Sequence, residues 1–254
     1  MSVLTRNITG HDILAIREYI NKNSPTTENE IQHRFFPGDA TDPSVSDKLK
    51  LITDAVAFLD DIDQIVEETD GYRLHQHATK PVDPRVSILD SLHSQFGENG
   101  AYKNVLEYLT EEDQTLATRQ GGLEDAMSEY ESEIDWNSTN LGYWERSMDC
   151  LGVITKVHRE DATMAFVLEY DLWKHILNEL RKAQTTQLET ILTSLNETYL
   201  PVWTASGSIA KHVQYGLSGL EDRSEIDLRK ESDAGTTYEI SSRGVNTIEF
   251  ATDF

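Results

Sequence analysis

The pair of histidines in "HQH", His75 and His77, is the first place where side chains of this sequence suggest chemistry. On a strand, positions i and i+2 share one face, as metal-ligating histidines sometimes do. The flanking residues offer no cysteine, and their only acid, Asp83, stands between Pro81 and Pro84, so the pair reads as polar loop histidines. "GGLED", 121–125, sets two glycines before a helix but lacks the Lys-Ser/Thr that a phosphate loop requires. The acids after Gly122 are those that complement a helix N-terminus. Acidic pairs such as Asp60–Asp61 and Glu111–Glu112 read as solvated surface, because an acid–base dyad needs burial to split its pKa values. The single cysteine, Cys150, lies in the apolar "MDCLGV" and reads as a small buried hydrophobe. It excludes a disulfide framework and a cysteine-rich metal centre. No Ser-His-Asp or Cys-His set is present, so the chain reads as non-catalytic, with no cofactor and no metal.

The elements that carry these residues follow from periodicity. Leu51, Ile52, Ala55, Val56 and Leu59 fall on one helical face. "QIVEE", "TDG" and "YRLH" then read as a hairpin, with Gly71 supplying the turn. The same grammar, a helix, an apolar hinge and two β-like segments around a charged turn, occurs at 47–75, 140–171 and 207–241. In the third copy "EIDLRKE" and "TTYEIS" are expected to pair around "SDAG". Helix-patterned stretches precede each copy. Before the first lie "GHDILAIREYINKN" and "TTENEIQHRFF", the latter expected to begin with Ser24 as cap and Pro25 as its first residue. Before the third lies 172–200, apolar at Leu172, Ile176, Leu180, Leu188, Ile191, Leu192 and Leu195. That stretch reads as a linker helix packing two modules, or as a pairing helix for a homodimer or protein partner. The aromatics Trp136, Tyr143, Trp144, Phe166, Tyr170 and Trp173 around the second copy read as core.

The chain has 254 residues, room for one large domain or two to three small ones. Its 22 Lys+Arg stand against 45 Asp+Glu, a net charge of −23 spread along the sequence. Dispersed acidity with only ten lysines resembles the proteins of salt-accumulating halophilic archaea, where self-repulsion is screened. No signal-peptide-like start and no membrane-length apolar run is seen, so a cytoplasmic location and no membrane partner are expected.

Helices followed by a two-stranded wing resemble the winged-helix variant of the helix-turn-helix. The junctions are "LDDIDQIV", "DCLGVITKV" and "SGLEDRSEIDL", and the first and third carry Asp where the second has Gly. The resemblance implies an α+β chain, mainly helical with small hairpins, of three winged-helix modules: 1–80, 81–175, and 176–254 with a linker helix. It also implies DNA as a partner. Acid-poor windows locate the candidate contacts. Between Glu197 and Glu221 there is no Asp or Glu, and the window carries Lys211, His212, Gln214 and Tyr215. Arg229, Lys230 and Arg243 follow it. A second window, 72–86, carries Arg73, Lys80 and Arg85 with the two histidines, and a polar stretch before the second wing offers Asn140 and Arg146. In molar salt the Debye length is only ~3 Å, so a missing basic stripe says little against DNA. The expected role is a transcription regulator or the DNA-recognition subunit of a defence or mobile-element complex. The alternative is an interaction scaffold, like the tandem winged-helix partners of SMC–kleisin complexes or polymerase-associated factors.

Overall fold

The computed structural model describes residues 10–36, 46–79, 82–95, 100–118, 122–131, 134–157, 162–183, 185–232, 235–252 and 254. The fold is α+β, mainly helical with short antiparallel strand pairs. The first part of the chain forms α1 (Gly10–Asn23), α2 (Glu28–Phe35), α3 (Ser46–Asp61), β1 (Ile65–Glu68), β2 (Gly71–Leu74) and α4 (Pro84–His93). Next come α5 (Ala101–Glu111), β3 (Leu116–Ala117), α6 (Glu124–Tyr130), α7 (Ser138–Leu151), β4 (Thr155–Lys156) and β5 (Met164–Ala165). The last part forms α8 (Tyr170–Leu180), α9 (Leu188–Thr198), α10 (Lys211–Asp222), β6 (Ile226–Arg229), β7 (Tyr238–Ile240), β8 (Arg243–Val245) and β9 (Thr247–Phe250). These elements make two compact units, Met1–Tyr102 with Asn137–Leu151, and Lys103–Trp136 with Gly152–Phe254.

In the first unit, Ile13, Ile16 and Ile20 of α1 are buried, as are Ile52, Ala55, Val56 and Leu59 of α3. The hairpin β1–β2 forms, but with a tighter turn than expected: Glu68 stands opposite Gly71, which opens β2, so Thr69 and Asp70 make the turn. Gly71 has φ +130, and a Cβ there would lie 2.8 Å from the Thr26 carbonyl carbon and oxygen. The α2 start differs from expectation. Thr26 is extended and exchanges backbone hydrogen bonds with Tyr72 (N–H to O 3.1 and 2.8 Å), which holds this segment against the hairpin. The helix therefore begins later, capped by Thr27 in a capping box with Glu30, and Ser24–Pro25 is a cis peptide before it. Cys150 is half-buried rather than buried, its Sγ 3.3 Å from His11 Nδ1. The close approach of α7 to α1 needs Gly10, since a Cβ there would meet Cys150 Cβ at 2.2 Å.

A polar knot lies inside this unit. Gln64, fully buried, accepts from Arg17 Nε at 2.7 Å and donates through Nε2 to Ser91 Oγ at 2.8 Å and the Ser87 carbonyl at 3.1 Å. Arg17 also donates to the Ala78 carbonyl at 2.8 Å. These bonds tie α1 and α4 to the junction between α3 and β1, and satisfied polar groups of this kind fix one packing.

In the second unit β3, β5 and β4 form a sheet in that order. The stretch 172–200 is two helices, not one. Thr185 Oγ1 accepts from the Gln187 N–H at 3.2 Å, and the backbone of 186–188 bonds to Asn246 and Ile248 along β9. Its chain is thus drawn out as an edge of the sheet, which ends the helical run. Leu172, Ile176, Leu188, Ile191, Leu192 and Leu195 are all buried within this unit. The third hairpin also differs. β6 pairs with β9, placing Ile226 opposite Phe250, while β7 pairs with β8 around Ser241 and Ser242. Both serines have positive φ (51 and 63), the geometry of a two-residue hairpin turn.

The helix-to-strand junctions of the three repeated segments share one conformation. Asp63 (φ 57), Gly152 (φ 77) and Ser224 (φ 60) each stand in the left-handed region where α3, α7 and α10 end. Gln64 N–H reaches back to Leu59 O at 2.8 Å, and Glu225 N–H to Leu220 O at 3.0 Å, the long return bond of a Schellman cap. The residue equivalent to Gly152 in the third junction is therefore Ser224.

Candidate nucleic-acid interface

Helix α10 separates its faces sharply. His212, Val213, Leu217 and Leu220 are buried. Lys211, Gln214, Tyr215 and Ser218 fall at i, i+3, i+4 and i+7, the outer stripe, with Tyr215 53% exposed. The stripe carries no acid until Glu221. The β7–β8 hairpin lies beside it, with Ser218 Oγ 2.6 Å from Ser241 Oγ. Between the helix start and β7 is a pocket of about 390 Å³ lined by Gly207, Ser208, Ile209, Gln214, Thr236, Thr237, Tyr238 and Glu239.

Most candidate cations are already matched. Lys211 Nζ is 2.8 Å from Asp113 Oδ2, and its backbone N–H donates to Asp113 Oδ1 at 2.8 Å. The neighbouring carboxylate raises the Lys211 pKa. Arg229 pairs with Asp227 at 2.6 Å and Glu249 at 2.9 Å, and Arg243 pairs with Glu221. Lys230 is exposed. In the first unit Arg73 pairs with Glu68 at 2.6 Å and Asp70 at 2.9 Å, and Arg85 with Asp83 at 3.1 Å. Arg146 lies over the Tyr143 ring at 4.8 Å and donates to the Gly142 carbonyl at 3.1 Å. Asn140 is half-buried near the start of α7, its N–H donating to Asn137 Oδ1 at 3.0 Å. Lys80 lies outside the described residues.

His212 is not at the surface. It is 1% exposed, stacked on Phe166 with centroids 4.0 Å apart, and its Nε2–H donates to the Pro201 carbonyl at 3.1 Å. Burial holds its pKa down at about 3, so the ring is neutral and serves the core. Gln214 is half committed, its amide donating to the Ile209 carbonyl at 2.7 Å. His75 and His77 sit at the start of a 3₁₀ turn, not on a strand, with Nδ1 atoms 2.7 Å apart. Among the described residues no group of three metal-ligating side chains occurs. Nor is any helix among them long and apolar enough to cross a membrane.

The structure thus gathers Lys211, Gln214, Arg229, Lys230 and Arg243 in the second unit, and Arg73, Arg85, Asn140 and Arg146 in the first. Sequence reasoning overlooked Ser218, Thr236, Thr237 and Tyr238. Ser218 was reachable from the i+7 spacing to Lys211. The threonines and Tyr238 were assigned to a hairpin partner of β6, which hid their place beside α10. No protein-family model, curated protein or solved structure matches the chain.

Proposed function

We propose that the chain is a non-catalytic DNA-binding protein built of serial winged helices, working in a salt-rich cytoplasm as a regulator or DNA-recognition subunit. The observation that carries this is the acid-free outer stripe of α10 beside the β7–β8 hairpin, an arrangement that resembles the helix and wing of DNA readers. Element order supports it. A helix, a short extended piece, two helices and a pair of strands recur as α1 to β2, α5 to β5 and α8 to β9, the last with β7 and β8 inserted between the paired β6 and β9. In each the extended piece pairs with the last strand: Thr26 with Tyr72, β3 with β5, Gln187 with Thr247.

A second reading, an interaction scaffold, is favoured by the ion pairs. Arg73, Arg85, Lys211, Arg229 and Arg243 are each held by a carboxylate, which leaves little positive charge for phosphate. One experiment separates the two. DNA crosslinked to the tagged protein in its own cells is recovered and sequenced, and co-purifying proteins are identified. Sharp peaks sharing a motif, reduced about tenfold or more in Tyr215→Ala, support DNA reading, since a stacked base is worth ~1–3 kcal/mol. A flat profile with stoichiometric protein partners refutes it in favour of the scaffold.

A further inference from the structure

The pocket between α10 and β7 is uncharged apart from Glu239 and is lined by hydroxyls, an amide and one aromatic ring. The ring is Tyr238. It packs against Trp203 with centroids 5.5 Å apart. The Trp203 contact orients the ring before any ligand arrives. In the loop before α10, Thr204, Ser206 and the pocket-lining Ser208 form a hydroxyl chain with Oγ separations of 2.9 and 3.4 Å. Gly207, at φ +79 with nothing within 4 Å of where a Cβ would stand, leaves the rim open. One N–H of the Gln214 amide is taken by the Ile209 carbonyl, which leaves its carbonyl oxygen and second N–H to face a ligand edge.

The volume, about 390 Å³, is in the ~300–1,000 Å³ range of small-molecule sites. A phosphate would meet Glu239 and no lining cation, so an anion is disfavoured. A purely apolar ligand would strand the hydroxyls. A planar, neutral heteroaromatic with donors and acceptors on its edge satisfies both constraints. We infer that this pocket takes an unpaired nucleobase, with its face on Tyr238 and its edge toward Gln214, Ser208 and the threonines. The occupant is a base of a DNA strand at an unpaired or extruded position, held while the α10 stripe lies along the neighbouring nucleotides. This rests on the DNA-binding reading above and narrows it to DNA that offers a free base.

The test uses the full chain and 2-aminopurine, whose fluorescence is quenched by aromatic stacking, placed in a twenty-nucleotide single strand and in the matching duplex. Anisotropy of an end label reports affinity in the same samples. Expected is quenching on the single strand only, with single-strand affinity at least about tenfold above duplex. Tyr238→Ala should abolish the quenching and cost about tenfold in single-strand affinity. Because Tyr238 is in a strand, Ser208→Leu gives a second variant: it fills the pocket from an exposed rim position and should do the same. Competition by deoxynucleosides at strand-like concentrations would overturn the strand as the source. Equal binding to both DNAs, or quenching insensitive to both variants, would overturn the pocket but leave the DNA reading standing. Binding to neither DNA would overturn both.

Discussion

Gly216 and Gly219 stand three residues apart on α10, and a methyl group added to each should act in opposite directions. At a solvated helix position, Gly→Ala gains about 1 kcal/mol from reduced chain entropy. Gly219 is such a position, with nothing within 4 Å of its Cβ direction. At Gly216 the Cβ would lie 2.1 Å from Cε2 and Nε1 of Trp173 and 2.6 Å from Cζ2. Trp173 is 1% exposed, so the indole has no free space to turn into. Overpacking costs about 1–3 kcal/mol, and so close a clash with a buried indole takes the top of that range. After the helix gain is subtracted, Gly216→Ala should lose about 2 kcal/mol, and Gly219→Ala should gain about 1. For a chain of this size each kcal/mol moves Tm by roughly 2–4 °C. Thermal unfolding by circular dichroism at one fixed salt concentration should therefore put Gly216→Ala about 4–8 °C below the wild type, with Gly219→Ala above it. If both variants shift Tm upward together, α10 does not seat on Trp173, and the packing of α8 against α10 is wrong.

Two further predictions concern other parts of the fold. Ser224→Gly should stabilise by roughly 0.5–1 kcal/mol, because the left-handed conformation costs an L residue about 1–2 kcal/mol and glycine returns part of that as unfolded-chain entropy. A lower urea midpoint for Ser224→Gly would contradict the positive φ at that junction. His212 stays neutral in the folded protein down to about 3, while an unfolded histidine titrates near ~6.5. Between those values the unfolded chain binds the extra proton, so stability falls as pH falls through that window, with a limiting slope of about 1.4 kcal/mol per pH unit. Urea midpoints at pH 7 and pH 5 should differ less in His212→Gln than in the wild type; equal differences would mean the ring is not buried.

What the sequence made legible depended on range. Helical faces such as Ile52, Ala55, Val56 and Leu59 are written locally, and so was the β1–β2 hairpin, although its turn is Thr69–Asp70 and Gly71 opens the second strand. The β6–β9 pairing was not, because Asp227 through Thr247 must find each other across a long excursion, and the true tight turn uses Ser241–Ser242 instead of an Asn-Gly or Asp-Gly signal. The break between α8 and α9 was hidden for a related reason. Thr185, Thr186 and Gln187 contain no proline or glycine, and what stops the helix is the open edge of β9, distant in sequence. The α10 window was visible as a lack of acids, yet composition could not show that Lys211 would be claimed by Asp113 or that His212 would face inward.

Those two outcomes change how a DNA-reading face on this chain would work. Asp113 accepts from both the side chain and the backbone N–H of Lys211, so handing Lys211 to a phosphate would break the ion pair beside the group that caps α10. Arg229 and Arg243 are likewise drawn to Asp227, Glu249 and Glu221. Few counterions would then be released on binding, and the slope of log K against log salt, about −0.9 per phosphate neutralised, would be shallow. What α10 can offer at no such cost is the exposed ring of Tyr215, the Gln214 carbonyl and the Ser218 hydroxyl. Stacking and hydrogen bonding act at contact distance and survive a Debye length of ~3 Å in molar salt. The ranking of variants follows from this: Tyr215→Ala should weaken DNA binding more than Lys211→Ala, the reverse of the order for a protein held on DNA by charge.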